Sequence, residues 1–128
     1  MKLEMTLMRE VLAVCRLEAE AVVPAWLDLS AAFFALTRSN EELSVVCAAN
    51  LVPDDVTAER DWRAFKVEGP LDFALTGIMA KLTAPLAAAG ISIFAISTYD
   101  TDYLLVREGA AQQAAEILRG VATVSDQA

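Results

Sequence analysis

Ile91-Ser92-Ile93-Phe94-Ala95-Ile96-Ser97-Thr98-Tyr99-Asp100-Thr101-Asp102-Tyr103-Leu104-Leu105-Val106-Arg107 is two apolar runs joined by a polar turn. β-Branched and aromatic residues fill Ile91 to Thr98, which predicts a strand, and Tyr103 to Arg107 reads as its antiparallel partner. The 18 residues from Leu82 to Tyr99 carry no charge, near the lower limit for a membrane span. Pro85 and Gly90 interrupt them, however, and at Gly90 an Ala/Leu-rich pattern changes to a β-branched one. A helix stopped by glycine and followed by a core strand accounts for that change better than a membrane helix does. Working upstream, Asp72 can cap a helix running to about Ala89, with Leu75, Ile78, Met79, Leu82 and Leu86 on one face and a kink at Pro85. Trp62 to Glu68 reads as a strand that Gly69-Pro70 breaks. Downstream, Gly109 to Arg119 is an alanine-rich helix and Val121 to Val124 a last short strand. The order is strand, helix, strand, strand, helix, strand: the α+β, ferredoxin-like βαββαβ plan, an antiparallel sheet with helices packed on one face.

The first half echoes this order. Arg9 to Leu17, Ala32 to Thr37 and Leu43 to Ala48 read as strands, with a short helical turn near Pro24-Ala25-Trp26-Leu27-Asp28. Leu51 to Asp61 reads as an acidic loop with a helical turn at most. Phe34-Ala35-Leu36-Thr37 resembles Phe94-Ala95-Ile96-Ser97 at an offset of 60, and Cys15-Arg16-Leu17-Glu18 resembles Phe65-Lys66-Val67-Glu68 at an offset of 50. The connector of the first copy is therefore shorter, and its helix is truncated. Two tandem units follow, residues 1–61 and 62–128. Met1, Met5 and Met8 place an extended edge or a frayed end at the start.

Composition narrows the function. The chain has 128 residues, 56% of them hydrophobic, and a formal charge of −8. An acidic chain with no basic patch argues against a nucleic-acid partner. There is no histidine, which removes the usual base near neutral pH and the commonest metal ligand. No cofactor or metal is implied, and no catalytic residues. Asp100 and Asp102 alone are too few oxygens for a magnesium or calcium site, and no activated nucleophile stands with them. Cys15 and Cys47 lie in apolar runs and read as buried structural thiols. The absence of a long apolar segment near Met1 leaves the cytoplasm as the expected location.

The turn Ser97-Thr98-Tyr99-Asp100-Thr101-Asp102 holds more hydroxyls and carboxylates than a tight turn needs. Asp102 can hold an ammonium, Thr98 can orient a small zwitterion and Tyr99 can cover it. Gly77, near the start of the long helix, can admit either a ligand or tight helix–sheet packing.

The residues Glu68-Gly69-Pro70-Leu71-Asp72-Phe73, Gly77-Ile78, Ala84-Pro85-Leu86-Ala87 and above all Ile96 through Glu108 resemble the ACT domains of the CASTOR-like group. The resemblance is strongest over 62–120 and weaker over 9–48. It implies tandem ACT units resembling half of an arginine sensor, a regulatory role, and an amino-acid ligand between domains. It further implies that Ser92 and Ile93 offer edge backbone groups, that Thr76 and Gly77 lie at the helix approach, and that Thr98, Tyr99 and Asp102 line the other wall. Leu75 stands where the arginine-binding half of the sensors carries an acid, so the resemblance does not name the amino acid. A chain of this size would complete the site as a homodimer and pass its signal to an unidentified downstream protein. A dimerisation or protein-interaction module without ligand is the alternative.

Overall fold

The computed structural model describes residues 3–69 and 77–127. The expected helix start at Asp72 and the predicted site residues Leu75 and Thr76 lie outside them. The chain divides into two units, Met1–Arg9 with Arg63–Ala128, and Glu10–Trp62.

In the first unit the strands are β1 (Leu3–Leu7), the second part of β5 (Ala58–Val67), β6 (Ile93–Ser97), β7 (Asp102–Arg107) and β8 (Ala122–Asp126), with helices α1 (Ile78–Ala88) and α2 (Ala111–Leu118). Among the described residues, strand β6 pairs only with β7, β7 also pairs with β5, and β1 lies between β5 and β8. Both helices contribute to one core, Leu82 and Leu86 from α1 and Ala114 and Leu118 from α2. The strand face beneath them presents Phe65, Val67, Leu104 and Val106. This is the predicted ferredoxin-like plan, with one addition. Strand β1 runs antiparallel to β5 but parallel to β8, so the sheet is mixed rather than wholly antiparallel.

That first strand is neither an edge nor a frayed end. Leu3, Met5 and Leu7 are buried, while Glu4 is exposed and Thr6 half-buried between them. The period-two alternation is a strand signal in its own right. Its registers, Met5 opposite Val67 and Met5 opposite Val124, put the first nine residues with the C-terminal unit, not with residues 10–61.

The second unit comprises β2 (Leu12–Leu17), β3 (Ala35–Arg38), β4 (Leu43–Ala48) and the first part of β5. Its order is β3-β4-β2-β5, antiparallel throughout. Strand β5 begins at Ala58, four residues before the expected Trp62, because Ala58 and Glu59 pair with Cys15 and Val14. These residues give the N-terminal sheet its last strand. Ala58 is half-buried and Glu59 is exposed, so no apolar pattern marks them in the sequence. Among the described residues, this unit contains no α-helix. The segment between β2 and β3 supplies buried Leu27 and half-buried Trp26 and Phe34 instead. Cys15 and Cys47 are free thiols in that core. A hydrogen bond with Cys15, and then burial, push the Cys47 thiol up, which keeps it protonated.

The pairing of β2 with β5 shifts by one residue between Leu12 and Val14, so Arg60 and Asp61 together oppose Ala13. Asp61 absorbs this bulge in the left-handed region, at φ 67°, and is exposed. Glycine takes that conformation without a steric penalty but loses more entropy on folding. Asp61→Gly is therefore expected to stabilise the fold by about 0.5 kcal/mol, read as a rise in the urea midpoint with unchanged slope. A drop of that size would mean that the Asp61 side chain contributes a contact of its own.

Candidate functional site

Both hairpins close in the same way. Ser39 N–H donates to the Glu42 carbonyl at 2.9 Å, and Thr98 N–H donates to the Thr101 carbonyl at 2.8 Å. In each, the hydroxyl that opens the turn also accepts a backbone N–H, Ser39 Oγ from Glu42 at 3.3 Å and Thr98 Oγ1 from Thr101 at 3.2 Å. Equivalent positions thus differ by 98 − 39 = 59 and 101 − 42 = 59, not by the 60 of the sequence match. The cores agree: Leu43, Val45 and Cys47 of β4 face inward, as do Leu104 and Val106 of β7. A one-residue slip exchanges the two faces of a strand, so the similar strings lie on opposite faces.

The closing bonds determine which backbone groups β6 leaves open. Residues 98 and 101 form a hydrogen-bonded pair, and such pairs alternate along an antiparallel ladder. Phe94 and Ile96 therefore turn their N–H and C=O toward β7, while Ile93, Ala95 and Ser97 turn theirs to the open edge. This is the backbone presentation expected for Ile93. Ser97 and Asp102 face each other in a non-hydrogen-bonded pair, where side chains approach closely, and Ser97 Oγ donates to Asp102 Oδ1. They lie on the helix-facing side of the sheet, in line with Leu104 and Val106.

Much of the polar excess in the turn has a structural use. Thr98 Oγ1 donates to the Thr101 carbonyl at 3.1 Å and accepts from its N–H. Thr101, which sequence reasoning left without a role, is buried, and its Oγ1 donates to the Val67 carbonyl. That bond ties the hairpin tip to the end of β5. Only a contact with the sheet identifies Thr101; its residue type does not separate it from Thr98. Tyr99, at 81% exposed, projects from the turn.

Gly77 stands immediately before α1 with φ 76°. A Cβ added there would meet none of the described atoms within 4 Å, so tight helix–sheet packing is not the reason for glycine. The left-handed turn into the helix is. The predicted residues form two groups. Gly77, Thr98, Tyr99 and Asp102 belong to the end of the sheet where β5 finishes and α1 starts, because Thr101 binds Val67 there. Ser92, which is exposed, and Ile93 begin β6 at its other end, four residues or about 13 Å from Ser97. A single chain does not bring the groups together.

No group of three or more His, Cys, Asp or Glu among the described residues could hold a metal ion. No helix among them is long and apolar enough to cross a membrane.

The ACT-domain family model matches residues 57–120, from the start of β5 through α2. The chain belongs to the ACT-domain family. A second family model, for an N-terminal domain, matches residues 10–55, most of the second unit. The cytosolic arginine sensor for mTORC1 subunit 1 of Bos taurus is 36% identical over 98 residues, 70% of this ACT protein. The match spans only 30% of that relative's length. A crystal structure of a protein from Agrobacterium tumefaciens superposes with a TM-score of 0.91 at 33% identity, covering 100% of this chain and 96% of the other. The aspartate kinase of Clostridium acetobutylicum, an allosteric enzyme, shares the fold at a TM-score of 0.65 and 12% identity, over 88% of this chain and 33% of the kinase. The CASTOR-like character expected from the Ile96–Glu108 string agrees with the sensor match.

Proposed function

We propose that this ACT protein is a cytoplasmic regulatory protein that binds an amino acid between two copies of itself and has no catalytic role. The carrying observation is the open edge of β6, whose two ends bear the two groups of predicted ligand residues. A two-fold axis that sets two β6 edges antiparallel places the start of one strand beside the end of the other. The backbone of Ser92 and Ile93 from one copy then stands near Thr98, Tyr99 and Asp102 of the second, twice per dimer. Gly77 approaches from the helix side. Asp102 supplies the countercharge for the ligand ammonium, and the β6 edge supplies hydrogen bonds for its carboxylate. A ligand shared by two copies binds the dimer better than the monomer and shifts the equilibrium between them. A downstream protein would read that shift. Similarity to the arginine sensors and the allosteric kinase supports regulation by an amino acid, and Leu75 leaves the choice of amino acid open.

The test is a thermal-shift panel of the common amino acids at millimolar concentration, paired with sedimentation. One of them should raise the melting temperature, since ligand at about 100 times its dissociation constant adds roughly 2.7 kcal/mol. The same ligand should favour the dimer, and Asp102→Ala should abolish both effects while leaving the unliganded melting temperature within a few degrees. Flat melting curves with every amino acid would reject ligand binding. The Ser97–Asp102 hydrogen bond favours a second reading, a dimerisation module in which Asp102 only braces the hairpin. It predicts a stable dimer indifferent to every amino acid.

A further inference from the structure

The acidity of the chain is concentrated in one unit. Glu10–Trp62 contains 3 Arg and 10 Asp or Glu, net 3 − 10 = −7, and the rest of the chain 7 basic and 8 acidic residues, net −1. Among the described residues, the same unit carries four of the five exposed large hydrophobic side chains, Val22 at 82%, Leu29 at 64%, Val23 at 43% and Leu36 at 36%. Leu36 lies on β3, the end strand of the unit, which among the described residues pairs with β4 alone.

The closing bond from Ser39 to Glu42 makes residues 39 and 42 a hydrogen-bonded pair. Alternation along the ladder turns the N–H and C=O of Ala35 and Thr37 toward β4, and those of Leu36 and Arg38 away from it. Edge strands are commonly guarded by an outward lysine, a proline or a bulge. Here the charged side chain on the strand is Arg38, and its guanidinium instead donates to the Ala19 and Ala21 carbonyls. That tie anchors the 19–21 stretch to a β3 side chain, and the exposed Val22 and Val23 follow it directly in the chain. Arg16 is likewise occupied, by Glu18 and by the Glu41 carbonyl. Glu20, Asp28 and Glu41 of the same unit are exposed.

We propose that the β3 edge of the N-terminal unit docks a basic, extended segment of another protein, which joins the sheet as a further strand. Main-chain bonds to Leu36 and Arg38 give the register, and apolar side chains pack on Val22, Val23 and Leu36. Lysines or arginines on the intervening positions face the acidic rim. A second copy of this unit is a poor occupant, because two surfaces of charge −7 repel each other. The inference rests on residues of the N-terminal unit alone, and its test contains no amino-acid ligand, so it stands or falls separately from the ligand proposal.

The probe is a fluorescent nonapeptide of alternating Lys and Val, compared with a Glu/Val peptide and with the Lys/Val peptide N-methylated at every second residue. Fluorescence anisotropy with the full chain should show binding of the first, weakened at least tenfold at high salt. The Glu/Val peptide should not bind. The N-methylated peptide keeps its charges but cannot complete a ladder, and it should bind at least tenfold more weakly. Exchange of the Leu36 and Arg38 amides should slow when the Lys/Val peptide is added. Leu36→Pro removes an outward donor without touching the β4 ladder, and should weaken binding in step. If the N-methylated peptide binds as well as its parent, or the two amides gain no protection, strand addition is wrong. No binding of the Lys/Val peptide at all rejects the docking site outright.

Discussion

Phe65→Ala is expected to lower the unfolding free energy by about 3–5 kcal/mol. Phe65 is fully buried on β5, opposite Leu7 of β1, and belongs to the core that takes Leu82 and Leu86 from α1 and Leu118 from α2. Truncation removes ring contacts and leaves a cavity that the sheet backbone cannot close. Domains of this size have only about 5–15 kcal/mol of net stability, so the variant should be folded but marginal. The measurement is urea unfolding, with a lower midpoint and an unchanged slope. Phe65→Leu keeps most of the volume and should cost about 1–1.5 kcal/mol. If alanine cost no more than leucine, the ring would not be held by both helices and the sheet.

Thr101→Val has the second largest expected effect, a loss of about 1–3 kcal/mol. The substitution preserves shape but deletes the donor to the Val67 carbonyl, leaving a buried acceptor without its partner. Thr101→Ser retains the hydroxyl and should cost distinctly less. The consequence should be local first. Amides of the Thr98–Thr101 turn should exchange faster than those of β7, because the turn loses its tie to β5. Under the proposed function, the same variant should weaken the ligand-induced thermal shift without abolishing it, since Asp102 remains but its hairpin is less firmly held. An unchanged exchange rate in the turn would show that the Thr98 hydrogen bonds alone keep the hairpin ordered.

These two residues illustrate what a sequence can disclose. Phe65 is legible: it stands in an apolar strand between Trp62 and Val67 and copies the position of Cys15 in the first half. Thr101 is not. Three hydroxyl residues within the turn look interchangeable, and only the sheet contact singles one out. The β6–β7 hairpin, the long helix through Pro85 and the alanine-rich helix were all readable, because each is a periodic apolar run ended by a turn residue. Strand β4 matches its expected limits, Leu43 to Ala48. The first strand was missed although Leu3, Met5 and Leu7 alternate cleanly, since a short segment at a chain start carries no evidence of its neighbours. The start of β5 at Ala58 was missed because Ala58 and Glu59, one half-buried and one exposed, pair through the backbone, which side-chain pattern does not report. Among the site residues, the chemistry of Asp102 and the exposed edge at Ile93 could be anticipated. Their separation along β6 could not.

The order of apolar and polar residues along this chain was enough to establish an α+β protein of the ferredoxin-like plan, because local periodicity records which side of each element meets a core. It was enough to exclude histidine-based chemistry, because the atoms are absent. Register and strand order required the folded molecule. A shift from 60 to 59 costs a string comparison nothing, yet it moves every side chain to the opposite face of its strand. The placing of β1 between β5 and β8, and of Thr101 against Val67, likewise arises from pairings between residues far apart in the chain, whose energies no local pattern contains.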